Sequence, residues 1–390
     1  MTDTTTDDLA RTEASARRRQ LPPTPERPLH LFTIDGIRHE AVRELVLMQT
    51  GELLMLAQRF TERGNKLPGF CFVRRLANPS TFMQRTRLGE EIQLAFRLRH
   101  PAIATVFHRK VHQGALHVVM EYVDGPSLET LVSAGVARGR PVSEAFALYV
   151  GAEIAEALHH AHTLTDADGK SLGVIHRDVN PRHVYVGTQG EVKLTNFGAA
   201  YSLVVGREES PASLVRGDVA YASPEYLTRQ PLTPRSDVFG LGVLLVELFT
   251  GKHLFDVEDV PAGPLNGMVH LQPEILPSLP LTQMQVLLAS FGPENVEEAV
   301  ASLSPDVKAM LHVALRAKPE ERFATAADMR DAMRVALARR PPGYGRQEAA
   351  AEWAQVLAEG SVLRDEVEFG EEGFFPEGLE SHELEGLKRE

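Results

Sequence analysis

The chain has little of several things, and each shortage excludes a class of protein. A single cysteine, Cys71, among 390 residues rules out an intrachain disulfide and fits a reducing compartment. It sits in an apolar run, where a buried and inert thiol is expected. No apolar run is long enough to cross a bilayer: the longest, Val238 to Phe249, falls short and is interrupted by Glu247. The N-terminus lacks the apolar stretch of a signal peptide. Positive charge is short as well. The 41 Lys and Arg against 53 Asp and Glu leave a net charge of −12, which argues against nucleic acid or an anionic membrane as a partner. The expectation is a cytoplasmic protein that touches neither.

What is present is enough apolar material for a core. Hydrophobic residues make up 43% of the chain, and its length allows one large two-lobed domain with extensions, or two ordinary domains. Residues 1–28 mix Thr, Asp and Arg with Pro22, Pro23, Pro25 and Pro28, and read as a disordered leader. Strand-like segments run from Glu44 to Met48, Glu52 to Phe60 and Phe70 to Leu76, divided by Gly, Asn and Pro turns. Pro79-Ser80 offers a helix start, and Leu88, Ile92 and Ala95 recur at helical spacing as far as His100-Pro101. Two further strands, Ile103 to Phe107 and Ala115 to Met120, lead into Glu121-Tyr122-Val123-Asp124-Gly125.

Beyond Ser127 the pattern turns helical. Ser143 and Glu144 open a periodic helix to about His162, Val238 to Phe249 forms an apolar central helix, and Ser304 to Ala317 and Ala326 to Ala338 close the region. His159, His160 and His162 do not read as a metal site, because adjacent residues on one helix point away from a common ion. A short helix over Gln347 to Glu359 holds Trp353. After Gly360 comes an acidic tail in which Phe369, Phe374 and Phe375 are spaced. Such a tail is either a solvated end or a short docking motif.

One stretch stands out. His176-Arg177-Asp178-Val179-Asn180-Pro181-Arg182-His183, followed by Thr195-Asn196-Phe197-Gly198, resembles the catalytic loop and metal-binding turn of eukaryotic-type (Hanks-type) protein kinases, H-R-D-x-K-P-x-N and D-F-G. Other segments resemble the same family in the same order. Glu91 precedes His100-Pro101 as the helix-C glutamate would. Gly217 to Glu225 resembles the segment ending in A-P-E, and Ser236-Asp237-Val238-Phe239-Gly240-Leu241-Gly242 resembles the opening of the central helix. Pro319-Glu320-Glu321-Arg322 matches the late arginine motif. The resemblance spans about Arg43 to Ala338. It implies an α+β, two-lobed kinase fold with a small lobe over 29–124, a helical large lobe over 125–340, and an appendage over 341–390.

The resemblance also assigns roles. Asp237 would accept hydrogen bonds from the His176-Arg177 backbone, Arg322 would pair with Glu225, and Arg177 would await an acidic or phosphorylated group, with Ser202, Ser210 and Ser213 as candidates to supply it. Asp178 stands where the catalytic base stands. The residues around it depart from the pattern: Asn180 replaces the catalytic-loop Lys, His183 the metal-binding Asn, Asn196 the DFG Asp, Asp218 the Thr before A-P-E, and Arg74 the strand Lys that would pair with Glu91. In the glycine-rich loop only Gly51 remains, with Val46 and Met48 in place of the other glycines. Magnesium is a hard cation that prefers oxygen ligands, so neither it nor a resident cofactor is expected. Asp178 and Asp218 are expected to face each other without an intervening Lys. The adenine slot at Glu121 and Val123, behind Met120, stays open to weak ATP binding. The implied function is a pseudokinase that regulates a protein partner, such as an active kinase, by binding. The alternatives are a slow Ser/Thr kinase using Asp178 as base, or a metal-independent nucleotide sensor.

Overall fold

The computed structural model describes residues 29–47, 53–76, 89, 92–197, 218–255, 281–340 and 343–366. The leader, Met48, Gly51, Glu91, Ser202, Ser210, Ser213 and the acidic tail beyond Glu366 lie outside the described residues. The chain divides into two compact units between Val123 and Asp124.

The first unit is an antiparallel sheet of six strands, β1 (Leu29–Ile34), β2 (Ile37–Leu47), β3 (Leu53–Phe60), β4 (Lys66–Arg75), β5 (Val106–His112) and β6 (Ala115–Glu121), in the order β1-β2-β3-β4-β6-β5. Asp35-Gly36 and Gln113-Gly114 make the two tightest hairpins, all four residues having positive φ (51°, 77°, 49° and 74°). That is the left-handed pair a two-residue turn needs to match strand twist. Strand β1 and the first half of β2 are absent from the sequence expectation. The reason is a bulge between His30 and Phe32: Leu31 and Phe32 are consecutive yet both buried, which breaks the period of two. Strand β5 begins at Val106 rather than Ile103, because Ile103 is taken up in a turn whose amide donates to the His100 carbonyl.

One face of the sheet buries Phe32, Met55, Ala57, Cys71, Val73 and Val119. The Cys71 thiol is fully buried, and burial pushes its pKa up to about 11, so it is an inert core residue. On another cluster, Ile92 and Phe96 of a helical stretch over 92–97 meet Leu76, Val118 and Met120.

The second unit is mainly helical: α1 (Leu128–Ala137), α2 (Glu144–His162), a two-stranded sheet of β7 (Val184–Val186) and β8 (Val192–Leu194), α3 (Pro224–Leu227), α4 (Pro234–Thr250), α5 (Leu281–Ala289), α6 (Pro293–Ala299), α7 (Pro305–Ala314), α8 (Ala326–Ala338) and α9 (Arg346–Glu366). Helix α4 is the axis, buried on every face from Ser236 to Phe249. That explains its uniformly apolar sequence, since an amphipathic stripe serves only a helix with a wet side. Thr233 and Ser236 cap its start reciprocally, and Gly251, at φ 71°, closes its end with an amide to the Glu247 carbonyl. Helices α5 and α6 fall within the Pro-rich region after His253. Helix α9 is longer than the Gln347–Glu359 expected from the sequence.

Candidate functional site

Asp237, in the first turn of α4, organises the loop that precedes β7. Its Oδ2 accepts from the His176 amide at 2.8 Å and its Oδ1 from the Arg177 amide at 2.8 Å, while His162 Nε2 lies 2.7 Å from Oδ2. Both amides reach one carboxylate because Arg177 takes a left-handed turn, φ 65°. Burial opposes ionisation of Asp237, but the hydrogen bonds from His162 and from the Arg177 amide outweigh it and hold the carboxyl below its usual range. His176 in turn donates from Nε2 to the Thr195 carbonyl at 2.9 Å, accepts the Asp178 amide at Nδ1, and meets Phe197 edge-on at 4.6 Å. Burial keeps its imidazole pKa low. The loop and the 195–197 turn are thereby joined through one neutral histidine.

A second anchor fixes α3 to the end of the unit. Arg322 holds both Glu225 oxygens at 2.8 Å, and Ser236 donates to Glu225 Oε1 at 2.7 Å. The Glu225 carboxyl is buried, which would raise its pKa, yet the Arg322 bonds and charge bring it below the usual value. Arg177 lies over the Tyr226 ring, 5.9 Å from its centroid.

Asp178 sits among the departures from the kinase pattern. Its side chain is largely buried. Oδ1 accepts from Asn180 Nδ2 at 2.7 Å and from the Asp218 amide at 2.9 Å. His183 Nδ1 is 3.1 Å from the Asp178 carbonyl and 3.3 Å from its Oδ2, and Asn196 Nδ2 reaches the same Oδ2 at 3.4 Å. Asn196 Nδ2 also lies 2.9 Å from His183 Nε2. With the His183 proton on Nδ1, that nitrogen donates to Asp178 and Asn196 donates to Nε2 and to Asp178 Oδ2, while Asn180 Nδ2, 3.1 Å from the same Nδ1, directs its protons to Asp178 instead. Asn180 completes the loop by accepting the Arg182 amide at 2.9 Å, capping the turn over Pro181–His183.

Asp178 and Asp218 lie side by side with no Lys between them, the Asp218 amide donating to Asp178 Oδ1, while the Asp218 carboxylate accepts the Ala220 amide at 3.0 Å and pairs with the Arg182 guanidinium, a partner absent from the sequence expectation. Glu129 of α1 stands 3.9 Å from Arg182, its carboxyl pushed up by burial and drawn back by that guanidinium. Arg182 and Glu129 are members of this cluster that sequence reasoning missed. Arg182 occupies a place the family motif leaves free. Its meaning emerges only once Asp218 is known to lie beside it.

The kinase family would place magnesium at the positions of His183 and Asn196. The donors do not fit. Both His183 nitrogens are engaged, Asn196 turns its amide N–H toward the site, and neither residue type supplies the anionic oxygen magnesium prefers. Among the described residues no group of three His, Cys, Asp or Glu could hold a metal ion.

The other sequence candidates lie in the first unit. Arg74 is in β4, opposite Leu54 and Val118. Glu121 ends β6, its carboxylate accepting the Thr105 amide at 2.9 Å, and Val123 is buried just before the boundary. No helix among the described residues is long and apolar enough to cross a membrane.

Comparison with known proteins bears on the same residues. The family model for the protein kinase domain matches residues 73–333. The tyrosine-protein kinase MasK of Myxococcus xanthus is 30% identical over 273 residues, which cover 69% of this chain and 38% of that one. The serine/threonine-protein kinase PknB of Mycobacterium tuberculosis is 32% identical over 266 residues, 67% of this chain and 37% of its own. The chain therefore spans well under half the length of these relatives. The crystal structure of the Mycobacterium tuberculosis PknI kinase domain aligns with a TM-score of 0.50 at 23% identity, covering 78% of this chain and 97% of that one. That likeness concerns the fold.

Proposed function

This chain belongs to the protein kinase domain family, and from that premise we propose that it is a pseudokinase, regulating a protein partner such as an active kinase by binding rather than by phosphoryl transfer. One observation supports this most: His183 and Asn196, at the two metal-ligand positions, are hydrogen-bonded to each other at 2.9 Å. Phosphoryl transfer asks a protein for position and charge stabilisation and for little else. Removal of one well-placed stabilising group costs about 10²–10³ in rate. Loss of the Lys, the metal ligands and the glycines in concert takes a kinase of roughly 1–100 turnovers per second to near background, even allowing for non-additivity.

A slow kinase is the second reading, favoured by the retained Asp178 carboxylate and its two donors, Asn180 and the Asp218 amide. Thermal denaturation with ATP, with and without magnesium, tests the proposal. A ligand at a hundred times its dissociation constant stabilises by about 2.7 kcal/mol, enough to move a melt by several degrees. The expected result is no magnesium-dependent shift. A shift with magnesium-ATP that chelator abolishes would overturn the reading.

A further inference from the structure

We propose that the polar cluster around Asp178 is a ligand-independent lock. In it His183 does the crosslinking that a bound metal would do, and Arg182 takes over from the missing Lys in holding Asp218. The inference deepens the pseudokinase reading and rests on it for its biological sense; its physical content concerns this cluster alone.

Three stretches distant in sequence converge there: the 176–183 loop, the 195–197 turn and the 218–221 turn. Each is tied to the others by groups that need no ligand. His183 reaches Asp178 through Nδ1 and Asn196 through Nε2, joining the loop to the turn. Asp178 Oδ1 takes the Asp218 amide, and Arg182 takes the Asp218 carboxylate. The donors find acceptors: Asn180 Nδ2, His183 Nδ1 and Asn196 Nδ2 in Asp178, and the Arg182 fork in the Asp218 carboxylate. Arg182 answers the charge of Asp218, and the Asp178 carboxylate is stabilised by several neutral N–H groups.

With the family's residues restored the balance changes. A carboxylate at 196 would face Asp178, and an amide at 183 would be too short and uncharged to bridge them. Those oxygens would then need a cation. The departures are therefore one co-adapted set: each loses a catalytic contact and gains a structural one. The order of this cluster therefore does not depend on nucleotide, because its own side chains supply the crosslinks.

The His183→Asn/Asn196→Asp double variant tests the lock. In chelator it should melt several degrees below the wild type, and added magnesium should restore part of the loss; the wild type should melt alike in both. Arg182→Met, Asp218→Asn and their combination form the second arm. Each single should lower Tm, and the pair should lose no more than the worse single. A His183/Asn196 double variant as stable as wild type in chelator, or additive losses at Arg182 and Asp218, would overturn the lock. Should the double variant not fold, Arg182→Lys and His183→Gln decide by hydrogen exchange. Roughly tenfold faster exchange at the Thr195 and Asp218 amides supports the lock, and unchanged exchange overturns it. A wild-type shift with magnesium-ATP would instead remove the pseudokinase reading, leaving the cycles to judge the lock.

Discussion

Arg322 has no exposed side-chain surface and donates to both Glu225 oxygens and to the carbonyls of Arg316, Arg235 and Ala317. Deleting one member of a buried ion pair leaves the other desolvated and alone, at a cost of about 3–5 kcal/mol. Arg322→Ala is therefore expected to lower the urea midpoint by a large part of a domain's stability, and Arg322→Lys to rescue little, because a point charge cannot replace the fork. Asp178 poses the opposite question. Asp178→Asn keeps the volume and one acceptor but removes the candidate base. We expect a modest loss in urea stability and unchanged partner capture. Phosphoryl transfer by the wild type, lost in a folded Asp178→Asn variant, would replace the pseudokinase reading with the slow kinase. The roles of Asp237, Glu225 and Arg322 were legible because the sequence motifs name both ends of each contact. Arg182 was not, since its partner lies outside the loop that holds it.

Helix α9 follows the family match, so the motifs do not reach it. Its packing is nevertheless specific. Trp353 Nε1 donates to the Gly187 carbonyl at 3.1 Å, Glu352 accepts the Ser143 amide at 2.6 Å, and Glu359 pairs with Arg138 and Arg140. The β7–β8 turn is shaped for it: Gly190 has φ 74°, and a Cβ there would fall 1.9 Å from the Arg346 carbonyl oxygen. Gly190→Ala should lift the start of α9 from the turn. Trp353 is the only tryptophan, so its emission reads this event directly, and a red shift in the folded variant is expected. An unchanged spectrum would mean that α9 is not held at Gly190. The helix was visible in sequence as a short periodic run, but its docking was not, because amphipathic period says which face is apolar and not what covers it. Strand β1 was hidden for a local reason. The Asp35-Gly36 hairpin signal was present, yet the bulge at Leu31 and Phe32 erased the alternation that would have supported it.

Across the whole molecule, acid is expected to act on both units through neutral buried histidines. In the first unit His39 and His117 are nearly inaccessible and flank Phe32 at 5.4 Å each. Burial lowers both pKa values, with His108 and Arg59 adding to the effect on His39 and His112 and Arg75 on His117, against backbone hydrogen bonds that raise them. Buried His176 shifts the same way in the second. A histidine whose folded pKa is depressed binds fewer protons than it does unfolded, so its contribution is complete above about pH 6.5 and is lost as pH falls below it. Glu225 and Asp237 are depressed carboxylates, so they hold until pH drops below about 4 and then fail through their folded pKa values. Hydrogen exchange at pH 7.5 and 5.5 (values chosen to bracket about 6.5) should show the first unit weakening on acidification. His39→Gln with His117→Gln should flatten that response, and an unaltered pH slope in the variant would show that these histidines do not set it.

The sequence by itself determined the family, the α+β class, the two anchors at Asp237 and Arg322, and which catalytic positions had changed. It could do so because those features are local motifs, or pairs of motifs at fixed order along the chain. What the substituted positions do with one another was decided only by the tertiary structure. Asn180, His183, Asn196 and Asp218 read singly as losses, and Arg182 carried no signal at all. Brought together around Asp178, they satisfy one another's hydrogen bonds, and Arg182 answers the charge of Asp218. Whether a buried polar group is orphaned or paired depends on its neighbours in space, and those neighbours come from three separate stretches of chain.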